Sequence, residues 1–208
     1  MKGKCALGVL VSGNGTNLQA ILDASAGKDY PAEVRLVISN RPDAYALERA
    51  RKMSVPTALI QHGDYPDRGS FEDALIAALD RASVNLVVLA GFMRVLSPHF
   101  VRRYPNRILN IHPALLPSFP GTDAIQQAWE YGVKVTGVTV HFVDDGTDTG
   151  PIVLQETVPC DHLKDSLETL EEKIHSVERH LFPEAIRLFA EGRLQVTNRQ
   201  VLIGKERT

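Results

Sequence analysis

The chain has 208 residues, of which 44% are hydrophobic and 23% are charged. These values are close to the averages for globular proteins, so the composition excludes a disordered or a fibrous protein. Lys and Arg total 23 and Asp and Glu total 25, and the basic residues are scattered, which argues against a nucleic-acid partner. A chain of this length buries about 70% of its unfolded surface, and we expect one domain over residues 1–208.

The N-terminal apolar run, residues 5–12, is too short to cross a bilayer and lacks the pattern of a secretory signal. We therefore expect no membrane partner and a cytoplasmic location. Cys5 and Cys160 lie far apart without a C-x-x-C pattern, which favours ordinary thiols over metal ligands.

Short β-branched apolar runs alternate with amphipathic stretches in the first half of the chain. The predicted strands are residues 6–12, 34–39, 56–60 and 84–90, and the predicted helices are residues 17–26, 44–53 and 71–82. Ser70 with Asp73 three residues later predicts a variant capping box for the third helix. The alternation predicts a Rossmann-like, doubly wound α/β fold, a mostly parallel sheet with helices on both faces.

The second half of the chain changes character. Residues 107–111 are a predicted strand, followed by residues 112–121, in which three prolines exclude a regular helix. Two further strands, residues 134–143 and 151–158, are joined by turn-forming residues 144–150. Apolar residues at spacings of three and four predict a long helix over residues 165–190, in which Pro183 is a candidate kink. A short irregular tail is expected after it.

A glycine-containing segment, residues 12–17, follows the first predicted strand and opens the first helix. Its backbone N–H groups and the helix dipole could hold a phosphate. Leu18 stands where a dinucleotide motif has its third glycine, which leaves an NADP site built on Arg41 as a weaker alternative. An ordinary strand-to-helix turn without a ligand is a further alternative.

Asn110 and His112 lie at the end of a predicted strand, where alternation points both side chains to the same side. An amide donor and an imidazole suit an oxyanion that forms when an amine attacks a formyl carbon. Asp148, in the loop of residues 144–150, would raise the pKa of His112 above about 6.5, so that it donates a proton near neutral pH. The competing hypothesis is a zinc site of His112, His141 and Asp148, but no metal-ligand spacing supports it and no metal is expected.

Four segments together carry a family resemblance: residues 12–18, 88–94, 108–117 and 137–151. In order and spacing the chain resembles, over nearly its whole length, the glycinamide ribonucleotide formyltransferases of purine biosynthesis. The resemblance implies that 10-formyltetrahydrofolate, as co-substrate, gives its formyl group to the amine of 5-phosphoribosylglycinamide. The expected products are formylglycinamide ribonucleotide and tetrahydrofolate, and the implied catalytic residues are Asn110, His112 and Asp148.

The resemblance also implies two binding sites. The ribonucleotide site is expected to contain Gly15, Thr16, Asn17, His175 and Glu178. The folate site is expected to contain Arg68, Met93, Arg94, Val95, Leu96, Asn110, Asp144 and Asp148. His175 departs from the glutamine expected there in the family. Residues 1–105 would form a nucleotide-binding half and residues 106–208 a catalytic and folate-binding half.

Three other functions are alternatives to this formyl transfer. A formyltetrahydrofolate hydrolase shares the catalytic trio, but that family usually carries an additional N-terminal regulatory domain. A methionyl-tRNA formyltransferase needs a second, basic domain. The non-enzymatic alternative is a Rossmann-like ligand-binding module. A homodimer is left open as an expectation.

Overall fold

The computed structural model describes residues 3–205, in which nine strands form one sheet in the order β3-β2-β1-β4-β5-β6-β7-β9-β8. The strands are β1 Cys5–Val11, β2 Ala32–Ser39, β3 Thr57–Leu59, β4 Leu86–Leu89, β5 Ile108–His112, β6 Val135–Phe142, β7 Ile152–Pro159, β8 Leu194–Thr197 and β9 Gln200–Ile203. The helices are α1 Thr16–Ser25, α2 Tyr45–Lys52, α3 Arg68–Arg81, α4 Pro98–Arg103, α5 Ala124–Tyr131 and α6 Leu167–Ala190, with a 3₁₀ turn at His62–Asp64.

The first five strands are all parallel to one another, whereas β6 pairs antiparallel with both β5 and β7. In the sheet, β2 and β3 lie on one side of β1, and β4 and β5 lie on its other side. The strand order therefore reverses between β1 and β4. At this point the loops that follow the two strands lead to opposite faces of the sheet and leave a crevice at the carboxyl ends of the strands. The predicted fold class, a doubly wound and mostly parallel α/β sheet, is confirmed.

Helices cover both faces of this sheet because its strands are apolar on both sides. On one face Leu18 of α1, Ala46 of α2 and Ile174 of α6 pack in a single core cluster. On the other face Leu75 of α3 and Phe100 of α4 pack in a second cluster. Near-continuous apolar strands of this kind are typical of parallel sheets that are buried on both faces.

One predicted helix cap differs from the structure. The capping box at Ser70 is wrong, because α3 begins at Arg68 and its cap is Asp67, whose carboxylate accepts a hydrogen bond from the Ser70 N–H. Ser70 therefore lies in the first turn, where a free N–H needs such an acceptor. At Pro183, the candidate kink, α6 continues, and the Tyr30 hydroxyl donates to the Pro183 carbonyl at 2.7 Å.

The expected irregular tail is also wrong. Strands β8 and β9 form an antiparallel hairpin, and Gln200 of β9 lies beside Ile152 of β7. These strands have four residues each, too few for alternation to distinguish them from a loop. The sequence also did not predict the short helices α4 and α5. Within residues 3–205, no helix has the length and apolar character needed to cross a membrane.

The long helix α6 should contribute much of the fold's stability through its buried face. Replacing the fully buried Ile174 by Ala leaves a cavity and should lower the free energy of unfolding by about 3 kcal/mol. Leu163→Ala is the matched control, because this side chain is 97% exposed and its loss should change stability by less than about 0.5 kcal/mol. Urea unfolding measures both values, and equal losses would contradict the packing described here.

Candidate active site

A cavity of about 560 Å³ opens at the carboxyl ends of β4 and β5. Its wall contains most of the residues that the sequence assigned to catalysis and folate binding. They are Met93, Arg94, Val95, Leu96, Asn110, His112, Asp144 and Asp148. Arg68 lies outside the wall but touches it, because its guanidinium donates to the Val95 carbonyl at 2.5 Å.

Asp148 lies between two imidazole rings. Its Oδ2 is 3.4 Å from Nδ1 of His112, and its Oδ1 is 3.6 Å from Nε2 of His141. The backbone of Asp148 has φ 54°, in the left-handed region, which an aspartate tolerates better than most residues. The N–H of Gly121 donates to Oδ2 at 2.8 Å and so ties the carboxylate to the loop after β5.

The ionised form of Asp148 is favoured by these neighbours. Burial alone would raise the pKa of this carboxyl group, but hydrogen bonds from His141 and from the Gly121 N–H lower it, as do the charges of His112 and His141. These hydrogen bonds and charges outweigh the effect of burial, so the pKa of Asp148 lies below its ordinary value. The site therefore keeps a negative charge beside His112.

His112 is almost fully buried and uses both of its ring nitrogens. Nε2 donates to the Phe119 carbonyl at 2.7 Å, since a carbonyl can only accept, and Nδ1 faces Asp148. Both positions of a doubly protonated ring would thus face an oxygen atom. That Asp148 favours the charged form of His112 stays a prediction.

Asn110 and His112 reach the same cavity, as strand alternation predicted, but the structure adds His141 to them. His141 lies directly opposite Asn110 on β6, and its Nε2 is 3.2 Å from the Asn110 amide nitrogen. Its Nδ1 donates to the Phe142 carbonyl, which can only accept. Sequence reasoning considered His141 only as a zinc ligand. Among residues 3–205 there is no group of three or more His, Cys, Asp or Glu side chains arranged to hold a metal ion.

A second polar cluster joins the start of α1 to the middle of α6. The Glu178 carboxylate accepts from the Asn17 amide at 3.1 Å and from Nδ1 of His175 at 2.9 Å. Glu178 is buried although it lies on a helix that is otherwise amphipathic. The pKa of His175 lies above its ordinary value because its ring hydrogen-bonds Glu178; burial opposes the shift, and the charges of Glu178 and Glu171 add to it.

The loop before α1 has a backbone that requires glycine. Gly15 has φ 76°, and a Cβ at this position would lie 2.6 Å from Cβ of Ala46. The loop is tied to α2, because Arg49 donates through Nε to the Asn14 carbonyl at 2.8 Å and the Ala46 N–H donates to Gly13. No sequence motif had indicated this contact of Arg49. Gly15 and Thr16 thus stand at a helix start whose preceding loop is held by α2.

Comparison with known proteins identifies the family of this chain. The family model described as formyl transferase matches residues 6–186. The chain belongs to the formyl transferase family. A crystal structure of glycinamide ribonucleotide transformylase 1 from Symbiobacterium toebii superimposes with a TM-score of 0.95 at 50% identity, covering 99% of this chain and 96% of that one.

Two curated relatives of the family differ in length. The phosphoribosylglycinamide formyltransferase of Bacillus subtilis is 41% identical over 179 residues, which cover 86% of this chain and 91% of the relative. The human trifunctional purine biosynthetic protein adenosine-3 is 44% identical over 195 residues, or 94% of this chain. The match spans only 19% of the human protein's length.

The pair of His175 and Glu178 should make stability depend on pH. Because the folded-state pKa of His175 is raised, its contribution is complete below the unfolded value near 6.5 and is lost as the pH rises through the folded value. We expect His175→Gln to destabilise the fold more at about pH 5.5 than at about pH 9, by less than about 1 kcal/mol because the ring is half exposed. Urea unfolding at both pH values measures the difference.

The matched control removes the partner instead. In a Glu178→Gln background, His175→Gln should cost the same at both pH values, because no carboxylate is left to favour the charged ring. A pH dependence that persists in this background would assign the effect to another group.

Proposed function

We propose that the chain transfers the formyl group of 10-formyltetrahydrofolate to the amine of 5-phosphoribosylglycinamide, as an enzyme of purine biosynthesis in the cytoplasm. The observation that carries this proposal is the convergence of Asn110, His112 and Asp148 on one wall of the cavity. Membership of the formyl transferase family supports the transfer of a formyl group. The relatives of similar length from Bacillus subtilis and Symbiobacterium toebii, whose names specify glycinamide ribonucleotide, support this acceptor. The products would be formylglycinamide ribonucleotide and tetrahydrofolate.

The acceptor would bind at the start of α1. The free N–H groups of this helix start and its dipole suit the phosphate, with Gly15 and Thr16 closest to it. Asn17 and Glu178 offer polar atoms to the rest of the ribonucleotide. In particular, the Oδ1 of Asn17 is buried and has no hydrogen-bond partner among residues 3–205, and a donor on the acceptor could satisfy it.

The folate would bind in the cavity, whose exposed surface is mostly apolar, as a pterin ring requires. Met93, Arg94, Val95 and Leu96 form one side of it, and Asp144 lies in the loop of residues 144–150 on the other. Arg68, at the edge of this wall, would meet the acidic tail of the folate. The reaction proposed here needs no metal.

The chemistry proposed at this site is an acyl transfer. The neutral amine attacks the formyl carbon, a carbon–nitrogen bond forms, and the bond to the folate nitrogen then breaks. Asn110 and His112 would stabilise the oxyanion between these steps, and a proton would pass from the amine to the departing folate nitrogen. Because Nε2 of His112 donates to Phe119 in the free protein, substrate must replace that carbonyl as its acceptor.

The decisive experiment mixes the purified protein with 10-formyltetrahydrofolate, with and without 5-phosphoribosylglycinamide, in the absence of added metal. Tetrahydrofolate formation that requires the ribonucleotide supports the transferase. Formate release without the ribonucleotide would instead indicate a hydrolase, and no reaction of either kind would refute the proposed function.

Replacing Asp148 by Asn should lower kcat by about 10²- to 10⁴-fold, the range typical of general acid–base groups, with little change in the KM for the acceptor. His112→Ala should behave in the same way. The matched control is Asp73→Asn, which removes an aspartate paired with a histidine, His99, at an exposed position on α3. Steady-state kinetics measure all three variants, and a kcat unchanged in Asp148→Asn would remove Asp148 from the mechanism.

A further inference from the structure

The cavity wall formed by residues 91–97 has no regular secondary structure. Phe92 and Leu96 are buried in the second core cluster, whereas Met93 at 71% and Val95 at 66% are largely exposed. The exposed part of the wall therefore needs hydrogen bonds to its backbone, since a binding site loses affinity when its supporting contacts are loose.

The N-terminal end of the wall is anchored on Ser12, the residue that follows β1. The Ser12 N–H donates to the Gly91 carbonyl at 3.1 Å, and the Met93 N–H donates to the Ser12 hydroxyl at 2.8 Å. These bonds do not reach the backbone beyond Met93.

The C-terminal end of the wall is anchored on a buried carboxylate of α3. Glu72 is 1% exposed, and its Oε1 accepts from the Ser97 N–H at 2.8 Å. Its Oε2 accepts from the Ser97 hydroxyl. A buried charge is retained only where it is fully hydrogen-bonded, so these contacts are not incidental.

Glu72 also holds the middle of the wall through a second residue. Its Oε1 accepts from Nε of Arg68 at 3.1 Å, and Nη2 of Arg68 donates to the Val95 carbonyl. The Glu72 carboxylate thus holds the Nε edge of the Arg68 guanidinium. The guanidinium in turn holds the backbone carbonyl of Val95. The hydrogen bonds to the wall at the Val95 carbonyl and at the Ser97 N–H and hydroxyl thus all depend, directly or through Arg68, on Glu72.

We propose that Glu72, which does not line the cavity, is a positioning residue for the folate co-substrate. This inference rests on the proposed function, because it assumes that residues 93–96 form the folate site. Loss of the carboxylate should loosen the wall and weaken folate binding, while the acceptor cluster of Asn17, His175 and Glu178 on the other helices is left intact.

The test is a graded series at Glu72. Glu72→Met keeps the length of the side chain but removes every acceptor, and should raise the Kd for tetrahydrofolate by about tenfold or more. Glu72→Gln keeps one acceptor oxygen and should have a smaller effect. Calorimetric titration with tetrahydrofolate measures both. In steady-state kinetics, Glu72→Met should raise the KM for 10-formyltetrahydrofolate and leave the KM for the ribonucleotide and the kcat close to wild type.

Two further variants keep the test decisive. Glu184→Gln breaks an Arg–Glu pair of similar spacing on α6, far from the wall in sequence, and should leave the Kd unchanged. Ser97→Ala removes one donor to Glu72 and should raise the Kd by a smaller factor, so it carries the test if Glu72→Met does not fold. Hydrogen exchange of the amides of residues 93–97 should be faster in both Glu72→Met and Ser97→Ala.

The outcomes separate this inference from the function beneath it. A Glu72→Met protein, or its Ser97→Ala substitute, that binds tetrahydrofolate as tightly as wild type would overturn the positioning role alone. An equal rise in the KM of both substrates would also overturn it, since that indicates a general loss of structure. A wild-type chain that binds no tetrahydrofolate would overturn the proposed function together with this inference.

Discussion

The parallel pairing of β1, β4 and β5 is the constraint on which the candidate site depends. Strands that run in the same direction end at the same edge of the sheet, so the three segments that follow them meet there. These segments are the glycine loop before α1, the wall of residues 91–97 and the loop of residues 113–121. The antiparallel pairing of β6 with β5 then sets His141 directly opposite Asn110.

Charge at this edge is organised around one carboxylate. Asp148 accepts from the Gly121 backbone, faces His112 and His141, and adopts a left-handed backbone conformation. Each of these features costs stability unless the others are present, because a partly buried carboxylate requires partners and a left-handed aspartate requires support. A strained and partly buried ionisable group that lies in a cavity is characteristic of functional sites.

The acceptor cluster and the folate wall are connected through β1. Ser12 precedes the glycine loop directly, and its hydroxyl accepts from the Met93 N–H while it donates to Asn40 at 2.6 Å. Buried polar groups that satisfy one another in this way hold a single arrangement, since breaking one bond leaves another group unpaired. Ser12 therefore joins the N-terminal end of the wall to the start of the glycine loop, and Glu72 holds the C-terminal end of the wall.

The sequence by itself determined the order of the main strands and helices, the parallel α/β fold and the common direction of Asn110 and His112. These features follow from periodicity, which acts over a few residues and is visible in the chain. The tertiary structure decided the placement of His141 beside Asn110, the anchoring of the wall by Glu72 and the pairing of the C-terminal hairpin with β7. Such contacts join residues that are distant in sequence, and no local pattern distinguishes Glu72 from a solvated glutamate until the fold buries it.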